Sequence, residues 1–206
     1  MTVSLRDARE RDEDRRWFTD AYAAWLREFG GDAVVIAAQH AAPPVAAPEA
    51  PPAAMDGRQG RSRGGDAVAA LASGEARQWL AATDADVVLI LRDAAPVGFA
   101  LVQRASPALR TVAEYYLAPA QRRRGVGGTA ATLLFDRFGG EWQVATLQRD
   151  AIAVRFWRET VRRYTGGRHQ ETLAGGEVRQ RFFARAERAP EPFAGTPRAG
   201  ESSGAR

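Results

Sequence analysis

Apolar positions recur with two different periods along the chain of 206 residues, and the switches between them divide it into elements. Residues 3–6 alternate as a short strand. From 12 to 29 the apolar positions Trp17, Phe18, Ala21, Tyr22, Trp25, Leu26 and Phe29 keep helical spacing, and Gly30-Gly31 is expected to end that helix. Residues 67–82 read as a weaker helix, broken near Gly74. Two short apolar runs, 86–91 and 97–102, flank residues 92–96 as a hairpin. Residues 110–117, RTVAEYYL, are rich in β-branched and aromatic side chains and predict another strand. Val126, Ala130, Leu133, Leu134 and Phe138 then mark a helix stopped by Gly139-Gly140, and 142–147 alternates as a strand. Asp150 stands where an N-cap would be, ahead of a helix with the stripe Ala153, Phe156, Trp157, Val161 and Tyr164. Residues 170–173 and 178–184 flank 174–177 as a second hairpin. The expected class is α+β: a hairpin, then β–α–β–α, then a hairpin.

Two segments carry neither period. Residues 39–66 are rich in Pro, Ala and Gly, which offer little area to bury, and read as a disordered insertion. Residues 187–206 have the same character and read as a tail, leaving one domain over 1–186.

Composition narrows the chemistry. Hydrophobic residues at 45% and charged residues at 26% suit a chain that buries a core. With no cysteine and only His40 and His169, disulfides, thiolate metal sites and cysteine nucleophiles are excluded, and no metal is expected. Every basic residue is Arg, but the net charge of +4 is modest and the arginines are dispersed. The aromatics follow core periodicity, so a nucleic-acid module is disfavoured and no nucleic-acid partner is expected. The first 17 residues alternate acids and arginines, unlike a signal peptide, and no apolar run approaches the ~20 residues of a membrane span. A cytoplasmic protein without membrane contact is expected, as a monomer or homodimer.

Residues 114–128, EYYLAPAQRRRGVGG, join a strand to a helix through glycines. Such a turn presents backbone N–H groups at the positive end of a helix, a seat for phosphates, though a tight turn has the same pattern. Three successive arginines, Arg122, Arg123 and Arg124, favour the anion.

Arg122-Arg123-Arg124-Gly125-Val126-Gly127, following a strand that ends in Leu117-Ala-Pro119, resembles the R/Q-x-x-G-x-G/A signature of the GNAT superfamily of acetyl-CoA-dependent N-acyltransferases. The later Asp150-x-x-Ala153-x-x-Phe156-Trp157 is similar to the family's N-x-x-A followed by an aromatic. The blocks Glu114-Tyr-Tyr-Leu117, Arg123-Arg-Gly-Val-Gly127, Phe138-Gly-Gly-Glu-Trp-Gln-Val144 and Phe156-Trp-Arg158 look closest to a bacterial branch of that superfamily.

The resemblance implies a GNAT fold, with a mixed and mostly antiparallel sheet flanked by helices, and transfer of an acetyl or other acyl group from acetyl-CoA to a primary amine on a small molecule or peptide. The pyrophosphate of coenzyme A would lie on the amides of Arg123, Arg124, Gly125, Val126, Gly127 and Gly128, with charge from Arg122 and its neighbours. The pantetheine arm would run beside Tyr116 and Leu117, with Asp150 and Phe156 also near the cofactor, and an amide near Leu117 would stabilise the oxyanion. Glu114 is the candidate base, alternatively a paired structural carboxylate; its loss is expected to slow turnover most visibly at low pH. Where many relatives place a tyrosine as acid, seven residues after the cap, this chain has Trp157, leaving Tyr164, Tyr115 or Tyr116 as substitutes. Without an acid, a coenzyme A-binding sensor or scaffold is the alternative function.

Overall fold

A computed structural model describes residues 1–40 and 63–185. Residues 41–62 of the expected insertion and the whole of the expected tail lie outside the described residues, as does the His40 side chain.

Among the described residues, seven strands and four α-helices form in the order β1 (Val3–Asp7), α1 (Asp12–His40), α2 (Arg63–Ala81), β2 (Ala85–Arg92), β3 (Ala95–Arg104), β4 (Leu109–Leu117), α3 (Val126–Phe138), β5 (Gly140–Leu147), α4 (Ala151–Thr165), β6 (Gln170–Ala174) and β7 (Glu177–Ala184). They make one sheet of order β1-β2-β3-β4-β5-β7-β6 in which only β4 and β5 run parallel. Among the described residues, no helix is long and apolar enough to cross a membrane.

Strand alternation gives the sheet two apolar faces, each covered by a helix pair. On one face Phe18, Tyr22 and Trp25 of α1 and Ala72 and Ala76 of α2 pack on Val87, Leu89, Phe99 and Leu101. On the other, Leu134 and Phe135 of α3 and Trp157 and Val161 of α4 pack on Val88, Ala100, Val112, Trp142 and Phe182.

Several boundaries differ from expectation: β5 starts at Gly140, and the β6–β7 turn is only Gly175-Gly176. Helix α1 continues through Gly30-Gly31 to His40, because paired glycines cost a helix only about 1 kcal/mol each and the first prolines come at Pro43 and Pro44. Gly74 leaves α2 unbroken, and α2 takes in residues 63–66 of the expected insertion. The β2–β3 turn is not the five residues expected: Asp93 and Ala94, at φ 50° and 68°, close it alone. Pro96 enters β3 opposite Leu91, beside the irregularity between Ile90 and Leu91, where a missing N–H is tolerated.

Candidate active site

Strands β4 and β5 pair only from Leu109↔Glu141 to Val112↔Val144. Beyond Val112, β4 stays with β3 while β5 stays with β7, so the two strands part and leave facing edges without a ladder. The parting begins at a bulge: Leu101 pairs with Glu114 and Val102 with Val112, leaving Ala113 over. A bulge bends its strand and sharpens the twist there. The Ala118 N–H donates to Val97 O across the β3 ladder, so alternation turns the Leu117 N–H to the opposite, open edge.

Past β4 a 3-10 turn (Pro119–Gln121) leads into the arginine–glycine run. Arg123 at φ 60° and Gly125 at φ 79° adopt left-handed backbone, which folds the chain back so that α3 starts at Val126. No side chain caps that helix, so the amides of its first turn face outward unpaired by a cap. The loop is moored from behind: the Tyr115 hydroxyl donates to Gly127 O at 2.7 Å, and Phe156 stacks on Tyr115 with ring centroids 5.8 Å apart. A Cβ on Gly127 would come within 3.1 Å of Leu117 Cδ1 and 3.3 Å of Phe156, so a side chain at 127 crowds the packing of the loop against β4 and α4. Asp150 caps α4, its Oδ1 accepting from the Ala153 N–H at 2.9 Å.

Tyr115, Leu117, Gly127 and Phe156 are thus brought together, with Arg123 and Arg124 exposed in the loop and Val126 buried beneath it. Arg122, unlike Arg123 and Arg124, has protein partners. Its guanidinium is held by Glu28 and Leu117 O and lies over the Tyr116 ring.

Glu114 and Tyr116 share the face covered by α1 and α2, as their partners Leu101 and Phe99 do. No described side chain donates a hydrogen bond to Glu114. Burial, reinforced by the like charge of Glu75, pushes its carboxyl up to about 8. Tyr22 donates to Glu75 at 3.0 Å, and burial with that carboxylate pushes its hydroxyl up as well. Glu75 is missing from the candidates read in the sequence, although it interrupts an apolar helical stripe between Ala72 and Trp79. Glu28 leaves no signal of its kind.

Tyr164 lies apart from Glu114 and the glycine turn. Its hydroxyl donates to Asp136 at 2.7 Å, within the aromatic packing of Phe135 and Phe182 across the sheet from Glu114. At ~1.5 Å per residue it also lies about 12 Å along α4 from Phe156. Trp157 is buried against Tyr115 and Phe156. The groove lined by Gln148, Arg155, Arg158, Glu171 and Leu173 lies on the outer side of α4 and includes none of the candidate residues.

No family model matches the chain, and no curated protein matches it. Solved structures do. An acetyltransferase from Thermus thermophilus superposes with a TM-score of 0.54 at 11% identity, over 89% of this chain and 97% of that one. The PaiA N-acetyltransferase from Thermoplasma acidophilum, in complex with coenzyme A, superposes at 0.51 and 11% identity, over 88% and 98%. An aminoglycoside 6'-acetyltransferase type Ii gives 0.51 at 13% identity, over 93% and 100%. The chain has the GNAT acetyltransferase fold. Within that fold, the parted strands, the glycine turn and Glu114 occupy one end of the sheet, and the helices of each face close on it from either side.

Proposed function

We propose that this protein is an N-acyltransferase that passes an acetyl or other acyl group from acetyl-CoA directly to a primary amine. The observation that carries the reading is the parting of β4 and β5 beside an uncapped, glycine-led helix start. An extended thioester arm fits between parted strands by pairing with the open edge of β4, and a pyrophosphate fits on outward amides at a helix N-terminus. The amides from Arg123 to Gly128 would hold the phosphates, the exposed Arg123 and Arg124 supplying charge. Backbone at Tyr116 and Leu117 would hold the arm, and the Leu117 N–H would meet the thioester carbonyl as negative charge develops there. Phe156, packed at Gly127 near Leu117, would lie beside this arm, and Asp150 caps the α4 start.

The amine would enter from the α1–α2 face, where Glu114 takes its proton directly or through water. Because an alkyl ammonium of pKa ~10.4 cannot attack, this removal is required. No residue is assigned to protonate the thiolate: a thiol of pKa ~8.5 leaves without a dedicated acid. The acceptor class is a small-molecule or peptide amine. We further read the chain as a cytoplasmic member of the bacterial branch that its sequence blocks resemble.

One observation favours a second reading, a coenzyme A sensor without turnover: the Tyr115 and Tyr164 hydroxyls are both engaged in structural hydrogen bonds. Thermal unfolding with acetyl-CoA tests the binding that both require. At 100 times its dissociation constant the ligand adds about 2.7 kcal/mol, moving the midpoint by about 5–10 °C. The shift should vanish in Gly127→Glu, whose side chain crowds Leu117 and Phe156 and sets an anion in the loop. No shift at millimolar acetyl-CoA would sink both readings; a shift without thiol release across an amine panel would select the sensor.

A further inference from the structure

The Arg122 guanidinium spends its donors on protein. Nη1 and Nη2 donate to the two carboxylate oxygens of Glu28 at 2.6 and 2.7 Å, and Nε donates to Leu117 O at 2.8 Å. The cation also lies 5.7 Å over the Tyr116 ring. A fork that satisfies a carboxylate and a carbonyl at once is a geometry only Arg provides. Arg123 and Arg124, by contrast, are exposed and pair with no described residue. The first arginine of the run therefore differs in kind from the next two.

What it grips matters. The peptide between Leu117 and Ala118 is held at both ends, its N–H by Val97 O at 2.9 Å and its carbonyl by Arg122. Fixing that peptide fixes the end of β4, where the Leu117 N–H faces the open edge. Glu28 belongs to α1, 94 residues away, so one ion pair joins the helix over the amine side to the strand end and loop on the cofactor side.

We propose that Glu28 and Arg122 form a positioning pair, in which Glu28 holds Arg122 on the Leu117 carbonyl so that the Leu117 N–H is preset for the thioester, and that Arg122 is not a phosphate ligand. This rests on the acyl-transfer reading. The side chains of the pair, Arg122 and Glu28, are 36% and 32% exposed, so breaking it costs little global stability and the variants fold.

The test compares two probes on wild type, Glu28→Gln and Arg122→Lys by titration calorimetry: acetyl-CoA, and 3',5'-ADP, which carries phosphates but no thioester arm. Both variants should bind acetyl-CoA about tenfold more weakly and 3',5'-ADP unchanged, as misplacing a reacting-centre donor predicts. A phosphate-ligand role gives the opposite pattern: Glu28→Gln would free Arg122 and tighten both probes, while Arg122→Lys would keep the charge and bind both normally. Either of those results overturns the proposal, as does unchanged binding throughout. Amide hydrogen exchange of the ligand-free protein decides the pair separately. Residues 116–125 should exchange about tenfold faster in Glu28→Gln, and equal exchange would overturn the positioning role. Should wild type bind no acetyl-CoA, the acyl-transfer reading falls while the exchange result still stands or fails by itself.

Discussion

A carboxyl that holds its proton up to about pH 8 costs the folded protein stability over a defined range. Glu114 has this property through burial first and the like charge of Glu75 second. Its ordinary value is 4.5, so between 4.5 and 8 the unfolded chain releases a proton that the folded chain keeps. Stability therefore falls as pH rises through that window and levels off above it. Glu114→Gln removes the penalty, and should raise the unfolding free energy at pH 8.5 by on the order of a few kcal/mol while changing it little at pH 4.5, as denaturant titrations at the two pH values would read. The same shift reverses the pH sense expected of an ordinary carboxylate base. Below pH 8 Glu114 is mostly protonated and behaves much like Gln. With any amine that responds, kcat/KM of wild type should climb through pH 8, whereas the variant lacks that limb and falls behind by about 100-fold above it. If the two profiles run parallel, Glu114 is a structural carboxylate and not the base.

Among the elements, those with a strong period are legible in the sequence and those set by distant partners are not. The stripes of α3 and α4, the Asp150 cap and both hairpins follow from spacing and local chemistry. The parting of β4 from β5 has no local signal, because it depends on where parallel pairing stops and on a bulge at Ala113. Gly30-Gly31 is a poor guide to the end of α1 because glycine weakens a helix without forbidding it. Arg9 is a further case. Helix α2 has no basic residue in its last turn, and Arg9 reaches across about 70 residues of sequence to serve that end. Its Nε donates to Leu80 O at 2.9 Å and its Nη2 to the carbonyls of Trp79, Ala82 and Ala85 at 2.8–3.0 Å. Trp79 and Leu80 lie in the last turn of α2, Ala82 just past it and Ala85 at the start of β2, so one guanidinium ties the helix end to the strand that follows, and a cation there also meets the negative pole of the helix. Arg9→Met should therefore cost about 2 kcal/mol and lower the midpoint by about 4–8 °C. A loss below about 1 °C would mean that water replaces the guanidinium without penalty.

At the scale of the molecule, two cores lie back to back on one sheet, and the candidate site sits where the strands between them part. Among the residues whose burial is described, the buried core falls within 8–26 and 72–184. Loop-closure entropy varies slowly with length and hardly at all when length is kept. Replacing residues 41–62 by a Gly/Ser segment of equal length, and ending the chain at 186, should then leave the midpoint within about 2 °C of the parent, since stretches so rich in Pro, Ala and Gly offer little apolar area to bury. The acetyl-CoA shift should survive too, because Leu117, Arg123 to Gly128 and Phe156 are untouched. A retained midpoint with a lost shift would instead place part of the replaced segment at the cofactor or amine side of the site, and a fall of about 5 °C or more would make it part of the folded domain.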